Sequence, residues 1–312
     1  MLQIKTLRET SLDDVLRLYN EGIAQNPHSG RLDRQTWQRT IAAKPYYRDD
    51  DVLVAYESSR PVGYVHLCHA PNQDRTAPDP TKGSIEALFF DPRRPAVGRA
   101  LLEAALERHR AAGAREVLGW STFSGYPLYR GIFVGLEPMA MDKDTHIVQA
   151  FLDSGFEYCQ HSVLMAVNYD QPVAEQRPVI DIDFVVGVWQ PPTQWDTATW
   201  IGLEPYRCQA FVDGREAGAC VYALMPIISA TYGVPVACIA SLHTNPDFRR
   251  QGIGAFLVAR ALNHMLDLGA RRLMLGTQHD NVAAHATYHH GGMKIEDHVR
   301  GFALHFSHEQ VG

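Results

Sequence analysis

Asn245-Pro246-Asp247-Phe248-Arg249-Arg250-Gln251-Gly252-Ile253-Gly254-Ala255-Phe256-Leu257-Val258 is the stretch from which the rest of the chain is read. Upstream, residues 238–244 (Cys-Ile-Ala-Ser-Leu-His-Thr) read as a strand. Downstream, Leu257, Val258, Ala261, Leu262, Met265 and Leu266 recur at three- and four-residue spacing, the mark of an amphipathic helix. The turn between them is basic and carries Gly-x-Gly at the helix start. Glycine lets backbone approach a ligand closely, and the first helical N–H groups lack intrahelical acceptors, so the turn favours an anion. Strand, basic glycine turn and helix together make a cradle for a pyrophosphate.

No Gly-Lys-Ser/Thr follows the turn, which excludes a Walker A loop, and a third glycine of the dinucleotide fingerprint is missing. Arg249-Arg250-Gln251-Gly252-Ile253-Gly254 instead resembles the Arg/Gln-x-x-Gly-x-Gly/Ala motif of the GCN5-related N-acetyltransferases (GNATs). A second family motif follows in order: Asn281-Val282-Ala283-Ala284-His285-Ala286-Thr287-Tyr288, then Gly292-Met293. It is similar to the Asn-x-x-Ala-x-x-x-Tyr-x-x-x-Gly-Phe segment beside the CoA arm. The resemblance implies that Arg249, Arg250, Gln251, Gly252, Ile253, Gly254 and Ala255 hold the pyrophosphate of acetyl-CoA. It implies that backbone at Leu242, His243 and Thr244 pairs with pantetheine amides, and that Asn281 and Tyr288 flank the cofactor.

Tyr288 is the expected proton donor to the departing thiolate, a role for which a tyrosine hydroxyl is suited. On spacing alone it is a core tyrosine; the resemblance gives it the catalytic role. At the strand position that often holds a glutamate base in the family, this sequence has Ala240. His243, the nearest titratable side chain on that strand, is the candidate base, with a water relay as the other route.

Composition bounds the remaining choices. With 312 residues, 46% hydrophobic and 21% charged, the chain accommodates two soluble globular domains. A net charge of −6 gives no general attraction to nucleic acid or anionic membrane. No apolar run reaches spanning length and the N-terminus has no apolar signal region, so the expected location is cytoplasmic. The five cysteines are scattered and read as reduced core residues. His285 and His289 have chelating i, i+4 spacing, but no His-Glu-x-x-His or thiolate pair accompanies them, so no metal is expected.

The chain is one unit written twice. Ser84 to Pro92 lies under Cys238 to Pro246 at an offset of 154 residues, and Gly98-Arg99-Ala100-Leu101 under Gly254-Ala255-Phe256-Leu257 at 156. The first copy thus lacks two residues in its turn, Arg93-Arg94-Pro95-Ala96-Val97-Gly98, where Pro95 removes a donor. Glu86 matches Ala240, and Phe151 stands where Tyr288 stands. The first copy also carries about 19 extra residues between 122 and 140, read as a long ordered loop. The second spends only 189–205 between its first two strands, with Trp189, Trp195 and Trp200 there or at its border, so its acceptor cleft is expected to be open. Tyr126, Tyr129 and Phe133 of the insertion are expected to cover it.

The resulting expectation is a mixed α/β protein of two tandem GNAT-like domains, each a mostly antiparallel twisted sheet flanked by helices. Residues 1–168 form a domain with a degenerate cofactor turn, 169–178 a linker, and 179–312 the acetyl-CoA-binding domain. The expected activity is acetyl transfer to a small-molecule amine or a peptide or protein amine, by a monomer or homodimer. A non-catalytic CoA-binding regulatory or scaffold protein is the alternative, favoured by the missing glutamate.

Overall fold

Strand alternation and helix capping set the elements of the first half: β1 (Leu2–Thr6), α1 (Leu12–Gly22), α2 (Arg34–Trp37), β2 (Val52–Glu57), β3 (Arg60–Pro71), β4 (Pro78–Phe90), α3 (Pro95–Ala111), β5 (Glu116–Gly119), β6 (Ala140–Met141), α4 (Thr145–Asp153) and β7 (Glu157–Asn168). The second half follows with β8 (Asp183–Val188), α5 (Gln194–Thr199), β9 (Pro205–Val212), β10 (Arg215–Leu224), α6 (Pro226–Tyr232), β11 (Val236–Thr244), α7 (Ile253–Asp267), β12 (Arg272–Gln278), α8 (Val282–His290) and β13 (Lys294–His305). The structure, a computed structural model, describes residues 1–121, 128–134 and 139–306. Ser11 caps α1 by accepting from the Asp13 N–H, and the helix buries Val15, Leu16, Leu18 and Tyr19. α2 runs on into a π-helical turn at Gln38–Ala42. No helix among the described residues is long and apolar enough to cross a membrane.

All strands join one sheet, in the order β1-β2-β3-β4-β5-β13-β7-β12-β11-β10-β9-β8, with β6 on β13. The two halves exchange their last strands. β13 pairs with β5 of the first half, from Phe302↔Gly119 to His305↔Glu116. β7 pairs with β12 of the second, from Arg272↔Asn168 to Gln278↔Ser162. The exchanged strands pair with each other, closing the seam. Residues 1–168 and 179–312, read from sequence as successive domains, therefore each lend a strand to the other's sheet.

The linker is clamped rather than loose. Val173 exchanges hydrogen bonds with the Asn263 side chain (2.7 and 3.0 Å), and Glu175 pairs with Arg260 at 2.9 Å. Further ties cross between the halves. Arg75 holds Asp196 with two nitrogens, Tyr46 stacks on Trp195 at 4.3 Å, and His28 Nδ1 meets the Tyr232 hydroxyl at 2.8 Å.

Both halves carry the same bulge. In β3–β4 the register slips between His66 and Leu67, leaving Glu86 unpaired; in β10–β11 it slips between Val221 and Tyr222, leaving Ala240 unpaired. These are the two positions matched by the 154-residue offset, and each bulge lies where its strand parts from the parallel neighbour beyond.

In the first half the chain itself fills the space beside the bulge. Glu86, fully buried, accepts from the Leu128 N–H (3.4 Å) and the Ser84 hydroxyl (3.1 Å). Lys44 Nζ donates to the Leu128 carbonyl at 2.9 Å, and the Tyr129 hydroxyl meets His66 Nδ1 at 3.0 Å. Burial, reinforced by the nearby Arg130 cation and opposed by Glu86, brings Lys44 down from the ordinary 10.5 to about 7.

Two outcomes are expected. First, residues 1–168 expressed alone leave β5 without its neighbour, an exposed strand edge. That fragment should aggregate, and co-expression with 169–312 should restore a soluble complex on size-exclusion chromatography; a monomeric, folded fragment would refute the exchange. Second, Lys44 is depressed in the folded state, so between its folded and unfolded pKa values the unfolded chain binds the extra proton and stability rises with pH. Against Lys44→Met, the parent should gain roughly 1.4 kcal/mol per unit between about pH 7.5 and about 8.5 in urea unfolding. A pH-independent difference would show that Lys44 stays charged.

Candidate active site

The second half leaves the corresponding space open. β11 and β12 pair in parallel from Val236↔Arg272 to Ile239↔Leu275 and then part, with the Ala240 bulge at the branch. A cleft of about 880 Å³ runs from this gap to the start of α7. Leu242, His243, Thr244, Arg249, Arg250, Gly252, Ile253, Gly254, Ala255, Asn281 and Tyr288 all line it. Gln251, expected among them, does not. Its backbone oxygen accepts from the Val179 N–H (3.1 Å) at the end of the linker.

The turn is left-handed at two positions, one of them its glycine. Gly252 is the N-cap of α7 at φ 89°, where a Cβ is strained, and Arg250 is also left-handed at φ 61°. No side chain caps α7 and no acidic residue occupies its first turn. The leading amides of α7 and its positive dipole end thus meet the cleft without a competing carboxylate. Arg249 Nε donates to the Thr244 carbonyl at 3.2 Å, fixing the stem of the turn. In the first half, Pro95 opens α3 directly, Arg93 is bound to Asp91, and Arg94 to Glu57. This donor set, an uncapped helix start with two arginines and a glycine that excludes a Cβ, fits a pyrophosphate in the second half.

The cleft opens on both faces of the sheet. On the α7 side, Asn281 caps α8 by accepting from the Ala284 N–H (3.2 Å), and Tyr288 packs in the core at 6% exposure. Burial, with the neighbouring Cys220 and Cys238 thiols, pushes the Tyr288 hydroxyl well above its ordinary range, so it stays protonated. Phe151, its counterpart, stacks on Phe302 of the exchanged β13 at 4.6 Å. On the opposite face lies His243, about half exposed. Its Nε2 stands 3.1 Å from Glu216 Oε1, and Glu216 also accepts from Arg207 (2.8 Å) and Gln209 (2.6 Å). The other histidine pair is committed to backbone: His285 Nε2 to the Gln278 carbonyl (3.0 Å) and His289 Nδ1 to the Met293 carbonyl (2.8 Å).

Four lining residues come from the first half and were not read from the sequence: Arg130, Met139, Gln160 and Ser162. Gln160 and Ser162 belong to β7 and reach the cleft through the strand exchange. The insertion does meet the second half, though among its described residues the contact is not made by the expected Tyr129 and Phe133. Tyr129 and Phe133 pack in the first core, while Val134 and Met139 join Trp200, Val221 and Met225, and Arg130 lies 4.7 Å over the Trp200 ring. Tyr126 lies outside the described residues. Trp195 and Trp200 are buried and seal packing.

A family model described as the acetyltransferase (GNAT) family matches residues 15–129 and 176–292. Among solved structures, a tandem GNAT protein from the clavulanic acid biosynthesis pathway superposes with a TM-score of 0.67 at 16% identity, covering 98% of each chain. A GCN5-related N-acetyltransferase from Sphaerobacter thermophilus gives 0.66 at 13% identity, covering 97% of this chain and 95% of that one. A glucosamine N-acetyltransferase region in a fungal multi-domain GH3 β-N-acetylglucosaminidase gives 0.70 at 15% identity, covering 97% of this chain and 38% of that one. Such identities establish the fold alone, and no curated protein matches the chain. The family model covers more than half of the chain in two matching regions, and the chain belongs to the GNAT acetyltransferase family as a tandem member.

Proposed function

We propose that the protein is an acetyl-CoA-dependent N-acetyltransferase whose reaction takes place in the C-terminal cleft. The observation that carries this reading is the contrast between the two bulges: the first is filled by residues 128–129, the second opens onto a cleft with an uncapped helix start. When bound, acetyl-CoA supplies an acetyl group activated as a thioester. Arg249, Arg250 and the leading amides of α7 bind its pyrophosphate, and the backbone of 242–244 orients its arm. Tyr288 holds at Oη the proton that a departing thiol requires. His243, with its Nε2 proton donated to Glu216, presents the Nδ1 lone pair to take a proton from the acceptor amine. Ala240 at the bulge favours the other reading, a CoA-binding protein without turnover; CoA binding with no transfer to any amine would establish it.

Gly252→Asp places a carboxylate against the pyrophosphate and strains the turn. CoA affinity should fall beyond detection by calorimetry while circular dichroism stays native. A folded variant with parental affinity would locate the cradle elsewhere.

Tyr288→Phe should lower kcat roughly 10²-fold with little change in CoA affinity, the size of a lost general acid. His243→Ala should lower kcat roughly 10²-fold with CoA affinity unchanged, the size of a lost general base. Parental rates in Tyr288→Phe would leave it a core residue, and a parental rate in His243→Ala would assign the amine proton to water.

A further inference from the structure

The second half leaves one face of its sheet uncovered beside the cleft. Strand alternation shows which residues share it. Cys208, Ala210 and Leu242 pack under α7, and Phe184 meets Phe256 of α7. Val185 of β8, Arg207 and Gln209 of β9, and Ser241 and His243 of β11 therefore face the other way. In the first half the same face is covered: Tyr19 of α1 packs on Phe89 at 5.3 Å and leaves it 6% exposed. The 154-residue offset places His243 at the position of Phe89, and the His243 side chain is 55% exposed.

From His243 the open face runs in a row to the sheet edge. His243 pairs with Ala219, Ala219 with Gln209, and Gln209 with Val185. Val185 is 58% exposed, and a Cβ added to the nearby Gly187 would meet nothing within 4 Å. Arg207 is committed to Glu216, which it holds at 2.8 and 2.9 Å. Asp183 lies before Val185 on the same face, exposed and without an ion pair among the described residues. The row thus begins at the candidate base and ends on an apolar side chain beside an unpaired carboxylate. It spans three strand spacings, about 14 Å, the reach of about four extended residues. A small amine cannot bridge it.

We propose that this face docks a polypeptide, and that the acceptor is the ε-amine of a lysine within it. This rests on the acetyltransferase reading above. The docked chain crosses β8 to β11 with its lysine over β11, an apolar side chain on Val185 and a cationic neighbour at Asp183. The lysine stem enters along Met139 and Ala240, which line the cleft and pack with Trp200, while the backbone stays on the sheet. An α-amine has no such stem and would bring backbone into the cleft. At the β11–β12 gap the amide C–N bond forms as the thioester C–S bond breaks. The proton lost by nitrogen passes to His243, and the sulfur leaves with one from Tyr288.

The test uses short end-blocked peptides with a central lysine, assayed with acetyl-CoA. The first carries Phe about four residues to either side of the lysine, the reach set by the row, and Arg beside each Phe. Two others replace the Phe by Ser or the Arg by Glu, and Nα-acetyl-lysinamide stands for the amine without a chain. The Phe peptide should exceed the Ser peptide in kcat/KM by roughly 10-fold, the worth of a partly buried aromatic side chain, and Nα-acetyl-lysinamide by more. Val185→Asp should remove the advantage of Phe over Ser, and Asp183→Lys should reverse the preference for Arg over Glu. CoA affinity, measured on each variant by calorimetry, should match the parent and show an intact cleft. Equal use of peptide and Nα-acetyl-lysinamide overturns the proposal without any variant, as does a Val185→Asp loss shared equally by all acceptors. Acetylation confined to the α-amine of an unblocked peptide, read by mass spectrometry, overturns the lysine assignment. A dimer in sedimentation that Val185→Asp dissociates would give the face to a second copy of the chain and overturn the docking. If the protein binds CoA in a Gly252-dependent manner but acetylates no peptide in the panel, the docking assignment fails alone. If it binds no CoA, the acetyltransferase reading fails instead.

Discussion

The ladder between β7 and β13 is the constraint from which the rest of the molecule follows. Each strand completes a sheet begun by the other half, so neither half can close its own sheet without the other. The ladder also fixes where the catalytic-side residues come from. Gln160 and Ser162 reach the cleft only because β7 lies beside β12, and β6 on β13 anchors the far end of the insertion at Met141↔Val299. A hinge at the polar linker would break these hydrogen bonds. The linker is accordingly packed along α7, and its end is tied to Gln251 beside the cofactor turn.

The same backbone device has been used in two ways. In the first half, Glu86 at the bulge is paired with chain from the insertion, and Lys44 and His66 are buried beside it. Burial drives His66 down to about 3 and Lys44 to about 7, so the buried imidazole is neutral and the lysine is poised between states at physiological pH. Buried ionisable groups of this kind rarely contribute stability over an apolar core. What they do here is hold residues 128–134 in one place. The second half has Ala240 at its bulge, no chain across it among the described residues, and a cleft.

Much of this was legible in the sequence. The 154-residue offset pairs Glu86 with Ala240, and both are bulge residues; the two missing turn residues correspond to the early start of α3 at Pro95. Those features are local, and local residue choice carries them: a glycine for φ 89°, a proline for a helix start. The strand exchange was not legible, because β7 and β13 carry the apolar alternation of a terminal strand whichever sheet receives them. Nor was the split of the insertion. Tyr129 and Phe133 have the composition of a cleft cover, yet the loop turns so that they face the first core while Arg130 and Val134 face the second. Gln251 holds a motif position that fits phosphate, and its backbone oxygen accepts from the linker end.

The short segment between β8 and β9 explains why the cleft borrows its wall. In the first half the same interval holds α1, α2 and the turn after it, which cover the sheet. In the second it holds only α5, six residues long, and Arg75–Asp196 and Tyr46–Trp195 draw α5 onto the first half. The open face that this leaves exposes Arg207, Gln209, Glu216 and His243, four polar side chains on adjacent strands that satisfy one another at Glu216. An unshielded sheet of that kind would let water fill the acceptor side and weaken every electrostatic contact within it. The insertion occupies the deeper part of that face, against Trp200, Val221 and Met225 of the second half. A half whose own bulge is filled thus remains part of the site: it contributes the boundary of a cleft that the other half cannot close alone.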